Sequence, residues 1–458
     1  MRDRSVGHRA FSHAELSWLA YDWERVGDPD VAPRWPFKVF LPRSTEDVVR
    51  AVREAAAAGE KLIVRGSGHS SNRLVTGEGG TVLLTELMDR VEVDERASTC
   101  TMQAGARLLD VDQRLARHGF GLKVVGDHGD ITAGGFASVG GISPASHRFG
   151  LFVDTVTQLE YVDHAGKVHR CGPGDEAFRR VLAGLGRYGV ITELTVELQR
   201  IDKQRTVLRN DRVLTGTFAD FLARAEELVC NPDPALYARA FWVDLGKAGY
   251  GQISRYHLAR KRPDRVLRSR LAAGYQRLIG AAVTNLPPAA GAIAKYAGVA
   301  AMVLPPIYPT VERVERFADD LADATVGGPT RMFIAIAPAE AAADVARGML
   351  EACGAAREAG AVGPVALYLK PIRSPYLSGD RDDVRHAEIT VTATVDPATM
   401  TESVLSTVVE RIDDVALAHR AFRYLHTRTS EDPQRRRWLD PNARYGSDEE
   451  GAEARWWA

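Results

Sequence analysis

Apolar residues alternate with polar ones in two different rhythms along the chain. Phe37–Leu41 is a short extended run closed by Pro42. Ser44 can then N-cap a helix whose apolar positions Val48, Val49, Val52 and Ala55 recur at helical spacing. Gly59 stops that helix, and Leu62-Ile63-Val64 reads as a second strand. Thr81–Leu84 and Thr99–Gln103 are further strand candidates, followed by a helix between Leu108 and His118 that Gly119 closes. Small residues dominate 134–150, and strands return at Val156–Val162, Val168–Arg170 and Val190–Leu198. The alternation predicts a mixed first domain over residues 1–203.

From 204 to 420 the texture changes. Period-two runs occur at Ala238–Leu245, Gln252–Leu258, Met332–Ala337, Val365–Lys370 and His386–Val395, separated by helical patterns at Phe218–Val229, Val311–Ala324 and Ala339–Glu358. This predicts an α+β second domain with an antiparallel sheet flanked by helices. Residues 260–304 are alanine-rich and broken by Pro287-Pro288, a stretch suited to covering something. A polar, aromatic segment over 421–458 ends the sequence.

Composition narrows the partners. At 458 residues the chain exceeds one hydrophobic core. With 59 basic against 60 acidic residues it has no general field for a polyanion, so nucleic acid is not expected. Cys100, Cys171, Cys230 and Cys353 form no C-x-x-C pair, which points away from a zinc site or a disulfide framework, and no metal is expected. The start has no apolar core of signal-peptide length, and no apolar run reaches about 18 residues. A cytoplasmic monomer or homodimer without membrane contact is the expectation.

The chemistry concentrates in glycine-rich stretches. Arg65-Gly66-Ser67-Gly68-His69-Ser70 follows a strand, and glycine there lets backbone N–H groups approach an anion such as a pyrophosphate. A tight turn is the plainer reading of the glycines alone. Gly134-Gly135-Phe136-Ala137-Ser138-Val139-Gly140-Gly141-Ile142-Ser143 suits a loop laid against a flat ligand. Gly184-Leu185-Gly186-Arg187-Tyr188-Gly189 matches G-x-G-x-x-G, but a helical pattern precedes it and a strand follows it. That order is the reverse of a dinucleotide fold and excludes a nicotinamide-binding domain. His386-Ala387-Glu388 begins like a zinc-deaminase signature, lacks the P-C-x-x-C, and reads as an ordinary strand segment.

Together these residues resemble the FAD-binding domain of the vanillyl-alcohol oxidase / p-cresol methylhydroxylase superfamily over residues 35–200, with cytokinin dehydrogenases the nearest look. Those enzymes carry R-G-x-G-H-S, then D-Y-L-x-x-x-V-G-G-T-L-S-N-A-G-I-S, F-R-x-G and G-L-G-x-F-G-I-I-T. Here stand Arg65–Ser70, Asp127 through Ser143, Arg148 and Gly150, and Gly184–Thr192, in the same order and spacing. The resemblance implies a two-subdomain FAD domain plus a substrate-binding cap. It implies that Arg65, Gly66, Ser67, Gly68, His69 and Ser70 wrap the FAD pyrophosphate, with His69 bonded to the flavin. Gly134, Gly135, Ser138, Gly141 and Ser143 would line the flavin, and Val190 and Ile191 would touch it through backbone groups. Asp127, seven residues before Gly134, takes the place of a catalytic base, with Asp130 as its rival. Either aspartate could equally cap a turn. The tail element Leu439–Tyr445 is similar to a segment that returns to the flavin in the family.

Departures from the family pattern at Asp127-His128-Gly129 and Phe136-Ala137-Ser138-Val139 predict an altered pocket, and a cytokinin substrate is not supported. Trp242, Asp244, Tyr256, Arg331, Tyr368 and Lys370 are pocket candidates on the second domain's strands, although alternation turns half of each strand away. The implied activity is hydride transfer from a small amine or alcohol of specialised metabolism to FAD, then to O2 or another acceptor. A flavin-containing cyclase is the alternative, favoured by an apolar pocket without a base. A non-catalytic flavin carrier is a third class.

Overall fold

The computed structural model describes residues 18–23, 34–36, 38–71, 74–76, 79–232, 234–244, 249–259, 308–316, 330–379, 381, 383–430 and 432–445. The alanine-rich stretch 260–304 and the helical pattern beyond residue 316 lie outside them.

The architecture is α+β, built on three sheets. Strands β1 (Lys38–Phe40), β2 (Leu62–Arg65) and β3 (Thr81–Leu84) form a parallel sheet in the order β1-β3-β2. Helix α1 (Thr45–Ala58) crosses between β1 and β2. Ser44 Oγ caps it by accepting from the Asp47 N–H, and Gly59 ends it at φ 63°. Its buried stripe is Val48, Ala51, Val52 and Ala55.

An antiparallel sheet follows: β4 (Val91–Asp94), β5 (Thr99–Gln103), β7 (Val156–Val162), β8 (Val168–Cys171) and β9 (Val190–Gln199), ordered β4-β5-β9-β7-β8. The short strand β6 (Gly121–Leu122) pairs with the far end of β9. Helix α2 (Leu108–Ala116) precedes β6. Helix α3 (Ala133–Val139) follows it, and α4 (Glu176–Val181) precedes β9.

The third sheet has seven strands: β10 (Leu208–Thr215), β11 (Tyr237–Asp244), β12 (Gly249–Leu258), β13 (Thr330–Pro338), β14 (Val362–Ile372), β15 (His386–Val395) and β16 (Phe422–Arg423). Their order is β10-β12-β11-β14-β15-β13-β16, and every pairing is antiparallel. One face carries Ala240, Trp242, Leu367, Leu369, Ile389 and Val391. It is covered by α5 (Phe218–Cys230), α7 (Ala342–Ala352) and α8 (Glu402–Ala418) in a single apolar core. The opposite face sends Met332, Ile334, Ile336 and Ile372 into the core of the antiparallel β4–β9 unit. This sheet is therefore clamped between its own helices and the first half of the chain.

A second link between the halves is ionic. Lys203 Nζ donates to Asp112 of α2 (2.8 Å) and pairs with Glu315 (2.9 Å) of α6 (Val311–Glu315). Tyr237 OH also donates to Glu315 (2.9 Å). Burial pushes the Glu315 carboxyl up to about 7; Lys203 opposes the rise and Asp112 adds to it. A carboxyl whose folded pKa is raised stabilises the fold when protonated, and that contribution is lost as pH climbs from 4.5 toward 7. Lys203 is also raised, which affects only pH above 10.5. We expect the melting temperature of the wild-type chain to fall between about pH 5 and pH 7 through this group, and Glu315→Gln to flatten that slope. Thermal melts across the pH range check it.

Candidate active site at the junction of the sheets

The glycine-rich turn leaves β2 and runs beneath the segment 127–132. Gly66 is obligatory because a Cβ there would stand 2.1 Å from Thr132 Oγ1. Gly68 sits at φ 80°, and its Cβ would meet the Arg65 guanidinium at 2.4 Å. Gly66, Ser67, His69 and Ser70 are half-buried. The Arg65 guanidinium is 1% exposed, donates to the carbonyls of Tyr21 (2.9 Å), Val75 (3.0 Å) and Trp18 (3.1 Å), and lies over the Trp18 ring. The Arg65 side chain thus locks the turn from behind.

His69 has a well-defined setting. Its Nε2 lies 2.6 Å from Asp130 Oδ1, and its Nδ1 is buried with no partner among the described residues. Trp23 and His128 stack on the ring at 4.7 and 5.0 Å. Asp130, the rival base, is therefore committed to His69. The His69 bond, ahead of other causes, holds its carboxyl below the usual range.

The small-residue stretch is not the expected open loop, because Ala133–Val139 is helical. Gly134 N–H bonds to Ala104 O (2.8 Å), and a Cβ on Gly134 would stand 2.7 Å from Ala104 Cβ. The glycine serves helix-on-strand contact here. Gly135 stays exposed on the first turn, and half-buried Ser138 bonds its Oγ to Gly134 O. Gly141 N–H bonds to Tyr424 OH at 3.0 Å. Ser143 is completely buried and its hydroxyl accepts from the Ala145 N–H, so it is a turn residue that lines nothing. Val190 and Ile191 pair with Val162 and Tyr161 on β7, with buried side chains.

Asp127 meets the second half of the chain. Lys370 Nζ, on β14, donates to Asp127 Oδ2 and pairs with Glu388 of β15 at 2.9 Å. Burial alone would lower the Lys370 pKa, but Asp127 and Glu388 outweigh it and hold the ammonium above its ordinary value. Asp127 Oδ1 is buried without a partner among the described residues. Tyr368 lies on the same sheet face, its ring 4.8 Å from Phe241. Tyr256 also faces inward and accepts from Arg239 Nη2 at 3.1 Å.

Three pocket candidates face the other way. Trp242 packs on Phe218 and Phe221 under α5, Asp244 pairs with Arg357 at 2.8 Å, and Arg331 shares the helix-covered side with Phe333 and Ala335. Period-two alternation placed them correctly on strands but gave no sign of which face the helices cover. Glu388, Tyr424 and His426 were missed. Glu388 sat in the His386-Ala387-Glu388 string read as plain strand. His426 is half-buried; desolvation, then the nearby His128, His69 and Lys370, push its pKa down to about 3, so it is neutral. Its carbonyl accepts from the Ser71 N–H at 2.8 Å.

Residues 36–172 match the family described as FAD binding domain. An uncharacterized oxidoreductase, ORF5 in the fasciation locus of Rhodococcoides fascians, is 38% identical over 36% of this chain and 37% of its own length. Cytokinin dehydrogenase 5 of Arabidopsis thaliana is 30% identical over 49% and 42%, and (R)-6-hydroxynicotine oxidase of Paenarthrobacter nicotinovorans is 29% identical over 48% and 51%. Each match thus spans only part of the relative's length. The crystal structure of 6-hydroxy-D-nicotine oxidase from Arthrobacter nicotinovorans superposes with a TM-score of 0.62, covering 95% of this chain and 94% of that one at 18% identity, which shows a shared fold. The chain therefore carries a FAD binding domain and resembles FAD-dependent oxidoreductases over that part of its length.

The residues of this site fit FAD on their own geometry. The turn at Gly66 has no room for a side chain, and the buried His69 Nδ1 and Asp127 Oδ1 are polar atoms without partners among the described residues. Gly66→Ala should cost about 1–3 kcal/mol through overpacking and lower the bound flavin. Adding Thr132→Ala, which removes the clashing Oγ1, should restore part of it. The ratio of flavin to protein absorbance after gel filtration measures both.

Proposed function

We propose that the protein is an FAD-dependent oxidoreductase that oxidises a small amine or alcohol held between the seven-stranded sheet and the glycine-rich turn, with FAD bonded to His69. The observation that carries the reading is the state of Asp127. One oxygen is clamped by the Lys370 ammonium, and the other is buried and open. An open carboxylate oxygen in an enclosed site accepts an N–H or O–H, orients it, and can take its proton. Bound FAD would supply the hydride acceptor and pass the electrons to O2 or another acceptor.

Each neighbour has a task in this reading. Lys370 fixes Asp127 in one orientation and balances its charge, and Glu388 holds Lys370 from the far side. Neutral His426 and the phenols of Tyr368 and Tyr424 wall the space without adding charge. Hydride removal leaves the substrate carbon electron-poor, so losing the N–H or O–H proton to Asp127 stabilises the product. The cyclase reading called for an apolar pocket without a base, and the charged Asp127–Lys370–Glu388 group weighs against it.

The relatives' names make 6-hydroxynicotine and a cytokinin the first compounds to try, within a wider panel of amines and alcohols. Anaerobic mixing with the flavin-loaded protein should bleach the visible absorbance for at least one. Asp127→Asn should keep its flavin and slow that bleaching by roughly 10²–10⁴-fold. A variant as fast as wild type would remove Asp127 from the role, and a panel that never bleaches the flavin would sink the oxidoreductase reading.

A further inference from the structure

We propose that Asp130 is a positioning residue for attachment of FAD, directing the bond to Nδ1 of His69. The inference rests on the reading that FAD is bonded to His69, and it removes Asp130 from the oxidation itself.

The imidazole has two faces, two nitrogens and a carbon edge. Trp23 and His128 stack on it, at interplanar angles of 29° and 26°. Nε2 is taken by Asp130 Oδ1 at 2.6 Å. Nδ1 is buried and lacks a partner among the described residues. In a site made of hydrogen-bonding groups, an enclosed ring nitrogen without a partner marks a place for a missing atom.

The chemistry of Asp130 decides which nitrogen is nucleophilic. Its carboxyl is held below the ordinary range first by the hydrogen bond to His69, so it is ionised at neutral pH. A carboxylate only accepts, so Nε2 carries the proton and Nδ1 carries the lone pair. The carboxylate is itself well placed. Ser67 Oγ donates to Asp130 O, and the flanking Gly129 and Ile131 carbonyls accept from the Leu109 and Leu108 N–H groups, both at 2.9 Å. His128 and neutral His426 are the other titratable groups near the ring.

In the attachment step, Nδ1 bonds to the ring-methyl carbon of the flavin and one methyl C–H breaks. The proton passes to solvent, and the electron pair passes on to O2, which leaves as hydrogen peroxide. Nε2 keeps its proton, so the alkylated ring becomes a cation facing the Asp130 carboxylate. That pairing stabilises the product side.

The test uses the full-length chain prepared without flavin, mixed with FAD in air, quenched in acid and assayed for flavin fluorescence that stays with the protein. Wild type should accumulate it, and His69→Ala should not. Asp130→Asn can donate its amide to Nε2 and move the proton to Nδ1. It should slow attachment by roughly tenfold or more while still binding FAD. Asp130→Glu should recover much of the rate, which a merely structural role would not predict. Because Asp130→Asn could misfold, a second measurement needs no Asp130 variant: the ¹⁵N shifts of His69 in the flavin-free wild type, assigned with His69→Ala, should show Nδ1 unprotonated. A protonated Nδ1, or a folded Asp130→Asn that attaches FAD at the wild-type rate, overturns the inference alone. Wild type that binds FAD but never holds it through acid overturns the covalent reading beneath it as well.

Discussion

The ammonium of Lys370 is the charge on which the site depends. It is 3% exposed, comes from the middle of the seven-stranded sheet, and has Asp127 from the first half of the chain on one side and Glu388 on the other. A buried lysine without partners would give up its proton. With two carboxylates it stays charged, and the three groups become mutually dependent. Removing one partner from such a group typically costs about 3–5 kcal/mol, because a charge is left uncompensated. The contact therefore fixes where the sheet sits over the glycine-rich turn, while leaving one oxygen of Asp127 without a partner among the described residues.

Around that point the two halves are joined by unlike materials. Ile334 and Ile336 supply apolar contact, Lys203 with Asp112 and Glu315 supplies a second buried ionic knot, and the Gly141–Tyr424 hydrogen bond pins a backbone turn to the residue that follows β16. Apolar contact is tolerant of small shifts, but hydrogen-bonded charge is not. The ionic knots set the register of the halves, and the hydrophobic area supplies most of the adhesion.

Much of this was legible in the sequence wherever the determining signal is local. Ser44 and Gly59 bracket α1 because caps act within a few residues, and β11 through β15 showed in their alternation. Phase was not legible. Trp242 and Lys370 sit on neighbouring strands with equal claim to a pocket, and only the helices packed on one face decide between them. Helix α3 was hidden because glycines disfavour helices by about 1 kcal/mol each. Close approach to Ala104 needs Gly134 there and overrides propensity. Of the candidate site, the glycine turn stood out in the residues themselves, and His69 and Asp127 were named through the family resemblance. The His69–Asp130 pair could not, since the 61 residues between them say nothing about contact.

The bond from Ser71 N–H to His426 O joins residues 355 apart, directly beside the turn that carries His69. During synthesis that turn emerges early, while its last hydrogen-bond partner emerges only after the seven-stranded sheet has almost all been made. The nascent glycine turn must therefore wait, open and underconstrained, through most of translation. The two ends of the chain thus meet beside His69 only once the seven-stranded sheet has been made.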